Sequence, residues 1–157
     1  MEIERKFLVR KEALPAGLEN YPCRVIEQGY ICTDPVIRIR RTDDRYTLTV
    51  KSRGLLAREE FELPLTEASY EKLSRKTEGL LIRKRRYLIP EKDGLTIELD
   101  VFEGEYEGLF LAEVEFRSPE EAASYQPHPW MGTDVTAEGE YQNSRLSSGV
   151  PELMKTP

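Results

Sequence analysis

Along five stretches of this chain two side chains of one sign stand two residues apart: Glu2/Glu4, Arg38/Arg40, Glu60/Glu62, Glu98/Asp100 and Glu113/Glu115. A period of two belongs to the β-strand, whose successive side chains point to opposite faces. In "EIERKF", residues 2–7, Glu2, Glu4 and Lys6 therefore share one face, and Ile3 and Phe7 the other. An ordinary solvated face intersperses its signs, but here the signs are sorted. Same-face neighbours on a strand lie roughly 7 Å apart, inside a Debye length of about 8 Å, and repel. A surface without a ligand gains nothing from that repulsion. The sorting points to partners outside the polypeptide: hard divalent cations such as Mg²⁺ for the carboxylate pairs, phosphate oxygens for the arginine pairs.

The same periodicity predicts eight strands, near 2–9, 24–32, 36–42, 45–52, 57–63, 80–89, 94–102 and 109–117. In the fourth, Thr47, Thr49 and Lys51 form the polar face; in the fifth, Arg58 joins Glu60 and Glu62. The sixth, "LIRKRRYLI", carries charge on both faces, and periodicity leaves open whether Lys84 and Arg86 or Arg83 and Arg85 belong with the others. A helix is expected from a Thr66 cap to a stop at Gly79, with Tyr70, Leu73 and Leu80 on one side. A second is expected from Ser118 with Pro119 at its first position, and a short third over about Glu138 to Leu146. Gly29 marks a bulge or a close approach. Residues 147–157 read as a tail.

The fold class is mainly β (α+β). Eight antiparallel strands can close into a barrel without edges, and a barrel with the charged faces inward can hold an ionic ligand. Its apolar faces then look outward and need cover from helices or from a second subunit, so a homodimer is one way to complete the molecule. A charged interior is costly unless ions, ligand or water fill it.

Composition narrows the function. The 157 residues are enough for one domain, over 1–146, and 29 Asp+Glu against 23 Lys+Arg give a net charge of −6, which argues against a general nucleic-acid binder. No apolar run approaches the ~20 residues of a membrane-spanning helix. Cys23 and Cys32 make neither a disulfide framework nor a zinc site, and with no leader-like start the chain reads as cytoplasmic. His128, the one histidine, stands between prolines and reads as a loop residue. No phosphate loop of the Gly-rich Lys-Ser/Thr type is present.

The order of motifs adds a further argument. "EIERKFLV" resembles the Glu-x-Glu-x-Lys signature of the triphosphate tunnel metalloenzymes, or CYTH superfamily. The likeness runs on through "QGYI", "IRIRR", "TLTVKS", "REEFEL", "RKRRY", "IELDVFEG", "AEVEF", "PWMGTDVT" and "YQNSRL". It implies an eight-stranded tunnel that binds a triphosphate together with divalent metal, Mg²⁺ or Mn²⁺, with Lys84 and Arg86 facing inward. It implies phosphate contacts from Lys6, Arg38, Arg40, Lys51, Arg58 and Arg86. It places Glu2, Glu4, Glu60, Glu62, Glu98, Asp100, Glu113 and Glu115 around the metal, with Glu98 and Asp100 also suited to pairing with neighbouring bases.

Catalytic roles fall to Glu2, Glu4, Lys84 and Tyr30. The attacking water must lose a proton, either while polarised by metal held at Glu2 and Glu4, or to Lys84 as a neutral amine, which the resemblance implies is oriented by Tyr30. Nearby cations are expected to lower the pKa of Lys84. Only Met1 precedes the signature, where adenylyl cyclases of the superfamily carry a His-Phe pair, and the pattern looks most like the compact bacterial inorganic triphosphatases. Thiamine triphosphate and nucleoside triphosphates are the other hydrolytic substrates to consider. A polyphosphate- or RNA-binding module without chemistry is disfavoured, because inward carboxylates weaken a simple anion trap. A departure is Glu140, where relatives often have Lys or Arg before the tyrosine.

Overall fold

The computed structural model describes residues 2–53, 57–141 and 146. Ten strands form one antiparallel system: β1 Glu2–Leu8, β2 Cys23–Thr33, β3 Val36–Thr42, β4 Arg45–Lys51, β5 Ala57–Arg58, β6 Glu60–Leu65, β7 Glu78–Pro90, β8 Thr96–Phe102, β9 Phe110–Glu115 and β10 Thr133–Asp134. Their order is β10-β1-β9-β8-β7-β2-β3-β4-β6, and β5 returns to pair with β1. The sheet thus curls into a nearly closed barrel.

Two differences account for ten strands instead of eight. The expected strand 57–63 breaks at Glu59, where Ser52 Oγ accepts from the Glu59 amide at 2.8 Å and the Ser52 amide donates to the Glu59 carbonyl at 3.0 Å. Before the break Arg58 and Ala57 pair with Glu2 and Ile3; after it Glu60–Leu65 pair with β4. This change of partner joins the two ends of the sheet. The second difference is β10, a two-residue addition set against Phe7 and Leu8.

Helix α1 spans Glu67–Ser74, with the Thr66 side chain accepting from the Ser69 amide as predicted. It ends five residues short of Gly79. The Thr77 hydroxyl donates to the Ser74 carbonyl at 3.1 Å and caps the last turn, and Glu78 already belongs to β7. Leu80 is consequently a strand residue. Helix α2, Pro119–Ser124, starts at Ser118, whose side chain accepts from the Glu121 amide. Of the third expected helix, Gly139–Tyr141 form a 3-10 turn and residues 142–145 lie outside the described residues, as does the tail from 147.

The apolar residues gather in two places. Outside the barrel, Ile3, Phe7, Ile97, Leu99, Ala112 and Val114 are buried under Ala122 of α2, Met131 and Phe116, with Tyr87 and Trp130 packed against them. Inside, the inner face changes character toward one end: continuing inward from the charged positions come Ile82, Phe102 and Leu111, packed with Tyr30, Tyr106, Leu109, Val135, Tyr141 and Leu146. A hydrocarbon layer thus lies beyond the charged part of the interior.

Two glycines are dictated by close approach. At Gly29 the pairing of β2 with β7 shifts register, and a Cβ there would meet Leu81 and Thr77 side-chain atoms at 2.8 Å. At Gly132, φ is +80°, and a Cβ would stand 2.3 Å from the Leu8 carbonyl oxygen.

Candidate active site

A cavity of about 420 Å³ occupies the barrel, and thirteen of its fifteen lining residues are charged. Glu2, Glu4 and Lys6 come from β1, Arg38 and Arg40 from β3, Lys51 from β4, Arg58 from β5, Glu60 and Glu62 from β6, Arg86 from β7, Glu98 from β8, and Glu113 and Glu115 from β9. Tyr30 and Val36 are the uncharged members. Parity on β7 is settled by burial. Lys84 and Arg86 are buried, whereas the Arg83 and Arg85 side chains are 65% and 49% exposed.

Of the sequence-predicted site residues, Lys84 and Asp100 do not line the cavity. Both are fully buried, 2.7 Å apart, and Asp100 also receives two hydrogen bonds from Arg86, at 2.7 and 2.9 Å. Asp100 is thereby held as the counter-ion of two cations. Arg86 reaches Glu98 as well, at 3.2 Å.

Most remaining charges are paired across the barrel. Lys6 lies 3.3 Å from Glu113. Glu2 takes Lys51 and Arg58, each at 3.0 Å, and Arg58 also approaches Glu4 at 3.5 Å. What decides the chemistry is which groups remain. Among the described residues, Arg38 and Arg40 have no carboxylate within ion-pair distance. Arg38 donates to the Thr49 hydroxyl at 3.2 Å while its buried Nε has no acceptor among the described residues, and Arg40 Nε donates to the Gln28 Oε1 at 2.7 Å. A buried guanidinium donor left open at a cavity wall is suited to a phosphate oxygen.

The carboxylates show the opposite imbalance. Glu4 and Glu115 face each other across β1 and β9, and Glu98 and Glu113 across β8 and β9, so like charges are opposed directly. Burial, then Glu113 and Glu2, push Glu4 up to about 8. Burial, then Glu2 and Glu98, also raise Glu115. Glu2 behaves differently: burial pushes it up, but Lys51, a hydrogen bond with Glu60 and Arg58 overrule this and hold it at about 2. Glu113 is likewise held well below the usual carboxylate range, Lys6, Arg86 and Lys84 outweighing burial.

The cations respond in kind. Burial, then Arg38 and Arg86, lower Arg40 to about 9. Burial is the first cause of the lowering of Lys84 to about 7; Arg86 and Arg40 add to it while Asp100 opposes. The expected effect of neighbouring cations is thus secondary to desolvation.

No three carboxylates, histidines or cysteines among the described residues stand ready to close on an ion. The donor set still fits one kind of metal. Mg²⁺ keeps most of its water and is held by one or two carboxylates together with substrate phosphates, which is what Glu4 and Glu115 can offer. Outside the cavity, His128 Nε2 lies 2.7 Å from Glu91 Oε2 and its ring stacks on Trp130. Arg53 pairs with Asp34 at the surface.

A model described as CYTH domain matches residues 1–142. The chain belongs to the CYTH domain family. It is 41% identical, over 96% of its length and 99% of the relative's, to an inorganic triphosphatase of Nitrosomonas europaea. It is 39% identical, over 92% of each, to an inorganic triphosphatase of Acetivibrio thermocellus. A crystal structure of an inorganic triphosphatase superimposes with a TM-score of 0.70 at 37% identity, covering 96% of this CYTH chain and 97% of the other. The barrel just described is therefore a fold shared with that crystal structure.

Proposed function

We propose that this CYTH protein hydrolyses inorganic triphosphate to pyrophosphate and phosphate, with Mg²⁺ or Mn²⁺ bound at Glu4 and Glu115 beside Glu2 and Glu113. The observation that carries the reading is the separation of uncompensated charge: two arginines without carboxylate partners on β3, and facing acids without a full cation complement on β1 and β9. The named relatives support the substrate class. The lining supports an inorganic chain over an organic triphosphate, since only Tyr30 and Val36 offer a base or ring anything other than charge.

In this reading Arg38 and Arg40, with Lys6, Lys51, Arg58 and Arg86 around them, hold the phosphate oxygens and fix the terminal phosphoryl group for attack. When bound, the metal neutralises phosphate charge and acts as a Lewis acid. Water adds to the terminal phosphorus, the bridging P–O bond breaks, and pyrophosphate leaves. Of the two proton routes, a water beside Glu2 and Glu4 is favoured, because these carboxylates line the cavity whereas Lys84 is fully buried outside its lining, 2.7 Å from Asp100. No helix among the described residues is long and apolar enough to cross a membrane, and Cys23 and Cys32 are free thiols, which fits a cytoplasmic setting.

The test is phosphate release from inorganic triphosphate, pyrophosphate, thiamine triphosphate and ATP, each with Mg²⁺, Mn²⁺ or chelator. Triphosphate should be cleaved fastest, and chelator should stop the reaction. Cleavage undiminished in chelator, or ATP converted faster than inorganic triphosphate, would overturn the proposal.

A further inference from the structure

Beneath the arginine pair lies a neutral side chain that the charge pattern of the sequence does not reveal. Gln28, on β2, is directly opposite Arg40 of β3 and opposite Ile82 of β7, and is fully buried. Its Oε1 accepts from Arg40 Nε at 2.7 Å. Because a guanidinium can only donate, this bond fixes the amide's orientation and turns Nε2 away from Arg40. That Nε2 is buried with no acceptor among the described residues.

Such an arrangement is unfavourable in isolation. A buried amide donor left unsatisfied is destabilising, and a glutamate of the same length would remove that donor while giving Arg40 a counter-ion. The neighbouring cation Arg86 shows the alternative: its Nε donates to Asp100 at 2.7 Å, a carboxylate in the place that Gln28 takes beneath Arg40. Two arginines of one barrel thus have the same Nε contact with opposite electrostatic results. Arg86 is neutralised in the resting protein, and Arg40 is not.

We propose that Gln28 is a positioning residue for Arg40: it holds the guanidinium by Nε with an acceptor that carries no charge, so that the terminal nitrogens face the cavity with their positive charge uncompensated for a phosphate group. This rests on the reading of the cavity as a polyphosphate site. It adds a reason why a glutamine, in the "QGYI" stretch, and not an acid, lies under the arginine.

The experiment compares wild type, Gln28→Glu, Gln28→Met, Arg40→Gln and the Gln28→Glu/Arg40→Gln double variant. Binding of inorganic triphosphate is measured by calorimetry in chelator, kcat and KM with Mg²⁺, and the Arg40 Nε–H resonance, assigned by its loss in Arg40→Gln, by NMR of ligand-free protein. Gln28→Glu should melt no lower than wild type yet weaken triphosphate binding and raise KM roughly tenfold or more, with kcat changed less than about threefold. In the Arg40→Gln background the same change should alter binding by less than about twofold. Gln28→Met, which keeps the bulk and removes the acceptor, should broaden or abolish the Arg40 Nε–H resonance through faster exchange. Wild-type affinity in Gln28→Glu, an equal loss with or without Arg40, or an unaltered Nε–H resonance in Gln28→Met would each overturn the proposal. Should Gln28→Glu not fold, the methionine variant decides alone. A wild type that binds triphosphate but cleaves none would overturn the hydrolase reading and leave this one standing.

Discussion

A carboxyl held at about 8, as Glu4 is, keeps its proton at neutral pH in the ligand-free protein, whereas the unfolded chain ionises near 4.5. Between these values the unfolded state binds fewer protons, so the contribution of Glu4 to stability falls as pH rises through that window; below it the two states are alike. Glu4→Gln removes the ionisable group. In chelator, the urea midpoint of that variant should match wild type near pH 4 and exceed it by a growing margin toward pH 8; a constant difference would contradict the assignment. The same substitution should lower triphosphate turnover by at least about 100-fold, because an amide is a poor ligand for a hard cation. Burial and the proximity of Glu113 make the site less comfortable when empty than when its charge is matched.

At the scale of elements, β10 is held against β1 at a point that only glycine fits. With φ at +80° and a Cβ position 2.3 Å from the Leu8 carbonyl oxygen, Gly132→Ala meets both backbone strain and a clash with main chain that no rotamer can relieve. It should lower the unfolding free energy by about 2 kcal/mol or more, read from urea titration, and an unchanged midpoint would show that β10 can detach freely. The glycine was visible in "PWMGTDVT", but nothing in a period-two pattern says that a backbone passes so close. Other elements show the same boundary of legibility. The faces of β8 and β9 follow directly from alternation, because each carries charge on one side only, and on β1 and β3 a single arginine on the other face, Arg5 or Arg41, does not mask the paired charges. On β7 both sides are charged, and burial had to choose between them. The break at Glu59 left no trace, since Arg58, Glu60 and Glu62 keep one parity through it while their pairing partners change. Gly79 reads equally well as a helix stop or as a glycine at φ +69° within a strand, and it is the latter. Gln28 is not legible in this way, because a neutral residue makes no mark in a pattern of charge.

Across the whole molecule, seven carboxylates and six cations line one cavity, so the empty barrel is close to electrically balanced. A polyanion alone disturbs that balance, and so does a divalent cation alone; together they offset each other in part. Inorganic triphosphate with Mg²⁺ should therefore raise the melting temperature more than the sum of the two added separately. At a hundred times the dissociation constant the gain is about 2.7 kcal/mol, or roughly 5–10 °C for a chain of this size. Differential scanning calorimetry checks this, and strictly additive shifts would argue that the two bind independently. The hydrocarbon layer of Ile82, Phe102 and Leu111 at one end of the interior bears on traffic. A multiply charged phosphate chain cannot afford to shed its hydration in such a medium. Among the described residues that layer bars an ionic guest from one end of the interior, so the charged end is where substrate is expected to arrive and where each product would retrace its parent's route.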